Sequence, residues 1–397
     1  MKQYKEIILR PEKEQSLQRF HPWIFSGAIA KKPFDLTDGE VVKVLSSSGT
    51  FLGLGHYQTG TISVRILSFD AIDIDIDFYV RRLKAAYLLR KALQIVSDKT
   101  NSYRLIHGEG DNLPGLIIDI YDTTAVLQAH SLGMHRDRAL IAEALLQVFA
   151  PDELQHIFYK SEGTLPFMSE NEEISGTLFG KDISETIATE NGLKFQVDWL
   201  KGQKTGFFLD QRENRALFQY YAHKRRVLNM FCYTGSFSVY ALQGGALEVA
   251  SVDSSAKAIT LTNQNIALNF GNNARHQAHS EDAFKFLKQM KSDAYDAIVL
   301  DPPAFAKHRG AIKNALQGYK KLNRLAFDKI ARGGILFTFS CSQAISKEQF
   351  RLAVFSAAAL SGRNVRVLHQ LTQPGDHPIN IFHPEGEYLK GLVLYIE

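Results

Sequence analysis

The sequence predicts an α/β protein with a mostly parallel C-terminal sheet, preceded by a small mixed segment and a β-rich N-terminal unit. Three observations predict it. A chain of 397 residues exceeds what one ordinary core holds and implies two or three domains. Residues 1–72 contain short strand-like runs separated by turn signals. From residue 186 onward, apolar strand runs alternate with helical patterns, the texture of a parallel sheet covered by helices on both faces.

The composition, 45% hydrophobic and 22% charged, is that of a soluble globular protein with enough apolar residues for a core in each domain. Net charge is +4, which permits a nucleic-acid partner without requiring one. No apolar run approaches the ~18 residues of a membrane helix. The first residues, MKQYKEIILR, carry charges where a secretory signal needs an apolar stretch. The two cysteines, Cys232 and Cys341, are too few for a disulfide framework and point to a reducing cytoplasm. No metal site is read.

In the N-terminal unit, EVVKVL, FLGLGHY and TISVRILSF read as strands between DG, SSSG and TG turns. Trp23 and Phe25, in HPWIFSGAI, read as core aromatics. The alternating IDIDID at 72–77 reads as a strand or connector leaving the unit. FYVRRLKAAYLLRKALQIV has helical spacing. SYRLIHGEGDNLPGLIIDIYDTTAVLQAHS reads as two strand runs about a Gly/Asn/Pro turn, followed by a helix near 134–149 and more strands to about 185. The domains are therefore set at 1–72, 73–185 and 186–397.

In the last domain, VLNMFCYTGSFSVYALQGGA is a strand, a small-residue loop and a helix. Gly235, between Thr234 and Ser236, allows a tight turn beneath a ligand at a helix N-terminus. EVASVD ends about 20 residues later in Asp253, an acceptor suited to a ribose diol, and Asp282 stands where the next strand should end. The absence of GxGxxG argues against a dinucleotide. One glycine among small polar residues suits a nucleoside with an amino-acid tail.

YDAIVLDPPAF ends a fourth strand in Asp301, Pro302, Pro303 and Phe305. The prolines stiffen the turn and leave carbonyls to accept from a ligand. Asp301 can accept from the amino group or a protonated ring nitrogen of a base, and Phe305 can stack on it. GGILFTFSCSQ ends a fifth strand in Cys341, and adjacent strands should deliver Asp301 and Cys341 to one crevice. A thiolate there can add to carbon 6 of a pyrimidine and activate carbon 5, whereas Cys232 reads as structural. Residues 307–332 carry eight Lys/Arg against one acid, Asp328. Lys201, Lys204, Arg212, Arg215, Lys224, Arg225 and Arg226 form a second basic group. Basic stretches on both sides of the site favour a polyanionic substrate.

The order of loop, acid, acid and DPP resembles class I S-adenosylmethionine methyltransferases, with a Rossmann-like sheet. More specifically, KTGFFLDQRENR, LNMFCYTGSFS, SVDSS, DPPAF, GYKKLN, TFSCS and DHP…PEGEYLKG resemble the bacterial ribosomal RNA large subunit methyltransferases that form 5-methylcytosine. The likeness spans nearly the whole chain, with HPWIFSGA resembling that family's RNA-binding PUA domain. It implies Cys341 as nucleophile and Asp301 as a contact to base and cofactor. It also implies that S-adenosyl-L-methionine is held by Tyr233, Thr234, Gly235, Ser236, Asp253 and Asp282, with Gln211 and Arg212 closing the pocket. Pro302, Pro303 and Phe305 then meet the substrate, ribosomal RNA. Ala304 follows the Pro-Pro pair, where another group of RNA cytosine methyltransferases has a second cysteine, so the resemblance identifies no base for the carbon-5 proton. A guanine methyltransferase of the same fold and an RNA-binding assembly factor with a vestigial pocket are the alternatives. A homodimer is compatible with either.

Overall fold

A computed structural model describes residues 2–165, 174–306 and 308–397. Residues 166–173 of the middle segment and Lys307 of the basic stretch lie outside the described residues. The chain divides into two compact units, one of Met1–Thr189, Val197–Leu209 and Gly375–Gly386, the other of Glu190–Gln196, Asp210–Pro374 and Glu387–Glu397.

The first unit contains a six-stranded and a five-stranded sheet. In the six-stranded sheet, Val41–Leu45, Phe51–Tyr57 and Ile62–Ser68 pair as an antiparallel meander, and Lys5–Leu9 joins parallel to Val41–Leu45. Ile7, Leu9, Ile24, Val42, Val44 and Val64 form its buried face. The run around the Gly/Asn/Pro turn yields three strands rather than two: Ser102–His107, Leu116–Tyr121 and Thr124–Ala129. These pair antiparallel in the five-stranded sheet. Apolar residues of the helices Ile76–Ala92 and Arg138–Val148 share its core.

One two-way sequence expectation resolves here to its connector reading, and one fails, each for an identifiable reason. IDIDID makes no strand: Asp75 accepts from the amide of Phe78 at 3.0 Å and caps the helix that begins at Ile76. Nor are both N-terminal aromatics core residues. Phe25 is 46% exposed, and half-buried Trp23 spends its indole N–H on Glu109 at 2.8 Å.

The DHP motif also belongs to this unit. Arg90, fully buried, makes a bidentate pair with Asp111 (2.5 and 2.8 Å) and donates to the Asp376 carbonyl at 2.7 Å. The Asp376 carboxylate accepts from the Arg104 amide at 3.0 Å and from the His377 ring at 3.0 Å. A side chain at Gly110 would meet the Pro378 carbonyl at 1.9 Å, so glycine is required by space alone. Removing one member of a buried, fully bonded charge pair strands the other. Arg90→Met should therefore lower unfolding free energy by about 3–5 kcal/mol in urea titrations. A loss below about 1 kcal/mol would show that this network contributes little.

The second unit is built on seven strands: β1 (Arg226–Met230), β2 (Glu248–Asp253), β3 (His276–Ser280), β4 (Ala297–Leu300), β5 (Gly334–Ser340), β6 (Val365–Leu371) and β7 (Lys390–Ile396). Their order is β3-β2-β1-β4-β5-β7-β6, parallel except for β7, which lies antiparallel between β5 and β6. The helices are α1 (Arg212–Tyr221), α2 (Ser236–Gln243), α3 (Ala256–Phe270), α4 (Ala283–Gln289), α5 (Ile312–Lys329) and α6 (Lys347–Ser361). β4 and β5 are buried at every position, which is why they read as unbroken apolar runs. The order reverses between β1 and β4, and in such sheets ligands bind outside the carboxyl ends of the strands at that point.

Candidate active site

The loop after β1 is shaped by its backbone. Phe231, Tyr233 and Gly235 take left-handed conformations (φ 59°, 47° and 75°), and Gly235 caps α2. A Cβ on Gly235 would stand 2.5 Å from Thr262 of α3, so the loop admits no larger residue without moving that helix. α3 also holds the loop from below. Thr262 donates to the Tyr233 carbonyl at 3.0 Å, and Asn265 donates to the Thr234 carbonyl at 2.8 Å. Cys232 is buried with its sulfur 3.6 Å from the Thr262 hydroxyl, and burial pushes its thiol up to about 12. It is a packing residue.

Asp253 ends β2 facing this loop. One carboxylate oxygen accepts from the Tyr233 amide at 3.0 Å and the other from the Ser255 amide at 2.9 Å. Both bonds orient the carboxylate, and each oxygen keeps a lone pair for a further donor. Asp282 lies two residues beyond β3 and caps α4, accepting from the Lys285 amide at 2.9 Å. The Glu281 amide donates to the Asp253 carbonyl at 2.9 Å and draws the two acidic turns together. A left-handed glycine turn, a helix N-terminus at Ser236 and two oriented carboxylates fit a nucleoside bearing an amino-acid tail.

Beyond β4, Asp301 is half-buried and accepts from Gln211 Nε2 at 3.0 Å, while Asn214 of α1 donates to Gln211 Oε1 at 2.6 Å. Burial, then the negative charge of Asp210, push the Asp301 carboxyl up to about 7, against the opposing pull of Gln211 and Arg215. Asp210 has one buried oxygen without a partner, and its other oxygen accepts from the Tyr388 hydroxyl at 2.7 Å. Arg212 is buried at the start of α1.

Cys341 follows β5 with its sulfur 3.9 Å from the Pro302 carbonyl, and it is only half-buried. Asp301 and Cys341 thus leave adjacent strands at one end of the sheet. The Ser342 hydroxyl ties their loops, accepting from the Ala306 amide at 3.2 Å and bonding the Tyr319 hydroxyl at 3.0 Å. Phe305 packs on Tyr319 with ring centroids 4.7 Å apart, so one of its faces is taken; Pro302 is buried and Pro303 exposed.

The second basic group does not make one charged surface. Arg215 is buried against Glu190 at 2.9 and 2.6 Å, Arg225 donates to the Asp296 and Gly333 carbonyls, and Arg226 engages Asp296. On α5, Lys313 and Lys321 stay exposed, while Arg324 pairs with Asp328 at 2.7 Å. Asp210, Asn214, Thr262, Asn265, Tyr388 and Lys390 are the site's supporting residues that the motifs did not single out. The signal for Lys390 was present in YLKGLVLYI, a lone charge inside an apolar strand. Among the described residues no helix is long and apolar enough to cross a membrane, and no group of His, Cys, Asp and Glu is arranged to hold a metal.

Residues 168–380 match a family model described as S-adenosylmethionine-dependent methyltransferase, and residues 7–69 match a PUA-like domain. The ribosomal RNA large subunit methyltransferase I of Alteromonas mediterranea is 39% identical over 392 residues, covering 98% of each chain. Its namesake in Aeromonas hydrophila is 40% identical over 394 residues with the same coverage. Among solved structures, a SAM-dependent methyltransferase from Streptococcus mutans matches with a TM-score of 0.83 at 24% identity, covering 98% of this chain and all of that one. A methyltransferase complexed with SAH matches with the same score, identity and coverage. These two structures share the fold.

The raised Asp301 carboxyl links stability to pH. Folded, it keeps its proton to about pH 7; unfolded, it loses it near its ordinary value of 3.8. Between those values the folded state binds more protons, so this group makes stability fall as pH rises. Asp301→Asn should remove that slope: relative to wild type, the variant gains stability from pH 4 to 7, with a constant difference outside the window. Urea unfolding across pH 4–8 measures it, and a difference independent of pH would contradict the raised value.

Proposed function

This chain belongs to the ribosomal RNA large subunit methyltransferase I family, and on that premise we propose that it methylates carbon 5 of a cytosine in large-subunit ribosomal RNA through a Cys341 adduct. The observation that carries the cytosine reading is the half-buried thiol beside the Asp301-Pro302 turn; a guanine target needs no nucleophile there. S-adenosyl-L-methionine supplies an electrophilic methyl group on a sulfonium. Asp253 would hold its ribose, Asp282 its adenine and the Tyr233–Ser236 loop its methionine portion, with Gln211, Arg212 and Asp301 completing the pocket.

The chemistry then falls to two side chains. The Cys341 thiolate adds to carbon 6 of the cytosine, and the electron pair displaced toward N3 is met by a proton from Asp301. A carboxyl poised near neutrality suits that donation and the proton's return. Carbon 5 thereby becomes nucleophilic, and the bound cofactor would supply the methyl group, its sulfonium S–CH3 bond breaking to leave S-adenosylhomocysteine. Once carbon 5 has lost its proton to a base, the sulfur leaves as thiolate and the C5–C6 double bond is restored. The base must reach the thiol, so it is single-stranded or swung from its stack.

Residues 1–72 supply RNA affinity, residues 73–185 form a middle domain, and residues 186–397 carry the chemistry. A ribosomal substrate places the reaction in the cytoplasm. Asp253→Ala should weaken cofactor binding roughly ten- to a hundredfold, the loss of about 1.5–3 kcal/mol of charge-assisted hydrogen bonding. Calorimetry on a folded variant tests this, and an unchanged affinity removes Asp253 from the site. Cys341→Ala should abolish methyl transfer while leaving cofactor and RNA binding nearly intact. RNA carrying 5-fluorocytosine at the target should trap wild-type enzyme covalently, because fluorine cannot leave as a proton does. Near-normal turnover by Cys341→Ala together with no trapped complex would overturn the cytosine mechanism in favour of guanine.

A further inference from the structure

A thiol of ordinary acidity, near 8.5, is only a few per cent ionised at neutral pH. An addition by Cys341 therefore calls for a positive influence close to the sulfur. α6 does not provide it directly, because it begins at Lys347, six residues beyond the cysteine. The neighbouring strand does.

β7 runs antiparallel to β5 with Lys390 opposite Ser340, the residue before Cys341. Lys390 is only 4% exposed, although it opens a strand otherwise made of apolar residues and one glycine up to Leu394. Its ammonium donates to the Ser342 carbonyl at 2.7 Å and to the Ile345 carbonyl at 2.8 Å, so it sits inside the loop that begins at Cys341. An ammonium has three donors, and these two carbonyls use two of them. Glu387, the nearby carboxylate on the same segment, is paired with Lys347. Burying an ammonium against neutral carbonyls alone is costly, and the cost falls when a negative group forms nearby.

We propose that Lys390 is a positioning residue whose buried ammonium makes the Cys341 thiol more acidic and holds the loop so that the thiolate faces the base. Among the described residues, the charged and titratable groups around the pair are Tyr319, which reaches the loop through Ser342, Glu387 and Lys347 beside Lys390, and Asp301, which precedes the Pro302 carbonyl that the Cys341 sulfur approaches. Burial pulls the Lys390 ammonium down to about 8, with Cys341 acting in the opposite sense, so at neutral pH it stays largely charged. The proton lost by the thiol goes to solvent. A lysine serving only to cap two carbonyls would fix the loop and leave the thiol's titration untouched.

The inference rests on the reading of Cys341 as nucleophile, but its test needs no RNA. The rate of Cys341 alkylation by iodoacetamide, followed on its own peptide by mass spectrometry across pH 5–10, gives the thiol's midpoint. Wild type should titrate at least about one unit below the ordinary ~8.5. Lys390→Gln keeps a donor for the loop carbonyls without the charge, and should return the midpoint to 8.5 or above, slowing alkylation at pH 7 about tenfold. Lys390→Arg should keep most of the lowering. A wild-type midpoint at or above the ordinary value overturns the proposal whatever the variants do, as does an unchanged midpoint in Lys390→Gln. Should Lys390→Gln fail to fold, Lys390→Met, with an apolar stem of similar length, carries the same expectation. Covalent trapping by 5-fluorocytosine with an ordinary thiol would sink the Lys390 proposal alone. A depressed, lysine-dependent thiol without trapping would sink the cytosine reading alone.

Discussion

The parallel pairing of β4 with β5 is the constraint on which the site depends. Leu300 stands opposite Thr338, so Asp301 and Cys341 emerge at the same end of the sheet, from strands with no exposed position. A slip of one residue would send every side chain of a strand to the opposite face. Burial on both faces makes such a slip prohibitive, and the chemistry inherits its precision from the hydrophobic packing beneath it. The Ser342 hydroxyl then converts register into geometry, because it binds the turn after β4 and the Tyr319 hydroxyl of α5 at once. The loops that follow Asp301 and Cys341 are held by one atom.

Much of this unit was legible in the sequence. RVLNMF, EVASVD, YDAIVLD and GILFTFS correspond to β1, β2, β4 and β5, because strands buried on both faces must be continuous apolar runs with turns at their ends. The acids and the cysteine at those ends could be placed for the same reason. β6 and β7 were less legible, since their antiparallel insertion is a property of long-range pairing that no local pattern carries. IDIDID left strand and connector both open because strict alternation is a strand signal only until a capping aspartate competes for it, and the connector is what forms. Of the six supporting residues, Lys390 left a signal as a lone charge in an apolar run, but none could be given its task from the motifs, because each acts on another side chain or on a carbonyl through contacts set by the fold.

Counting charges along the chain proved a poor guide to surface potential. Arg90 and Arg215 are among the largest fully buried side chains, each forked onto a carboxylate. Such pairs are retained at a desolvation cost that a hydrophobic core of equal volume would avoid. What they add is direction. Glu190 also accepts from Tyr240 of α2 at 2.9 Å, so Arg215 of α1 and the helix that follows the cofactor loop share one acceptor. The DHP motif works in the same manner within its own unit: its carboxylate and carbonyl fasten Arg104 and Arg90, which explains its residues without any part in the reaction.

The place of β7 bears on how the protein comes into being. Chains emerge from the ribosome N-terminus first, and β5 and β6 are separated in the finished sheet by a strand made after both. Until residues 390–396 are available, β5 has an open edge along which seven residue pairs must later form. An open apolar strand edge is a template for pairing with other chains. The lysine beneath Cys341 also arrives on that strand. A nascent chain can therefore form the loop after β1 and the acids beside it before β7 exists, whereas the filled sheet and the lysine contacts to the Cys341 loop arrive together with β7. Closure of the gap between β5 and β6 and anchoring of the Cys341 loop are thereby coupled to the synthesis of one strand.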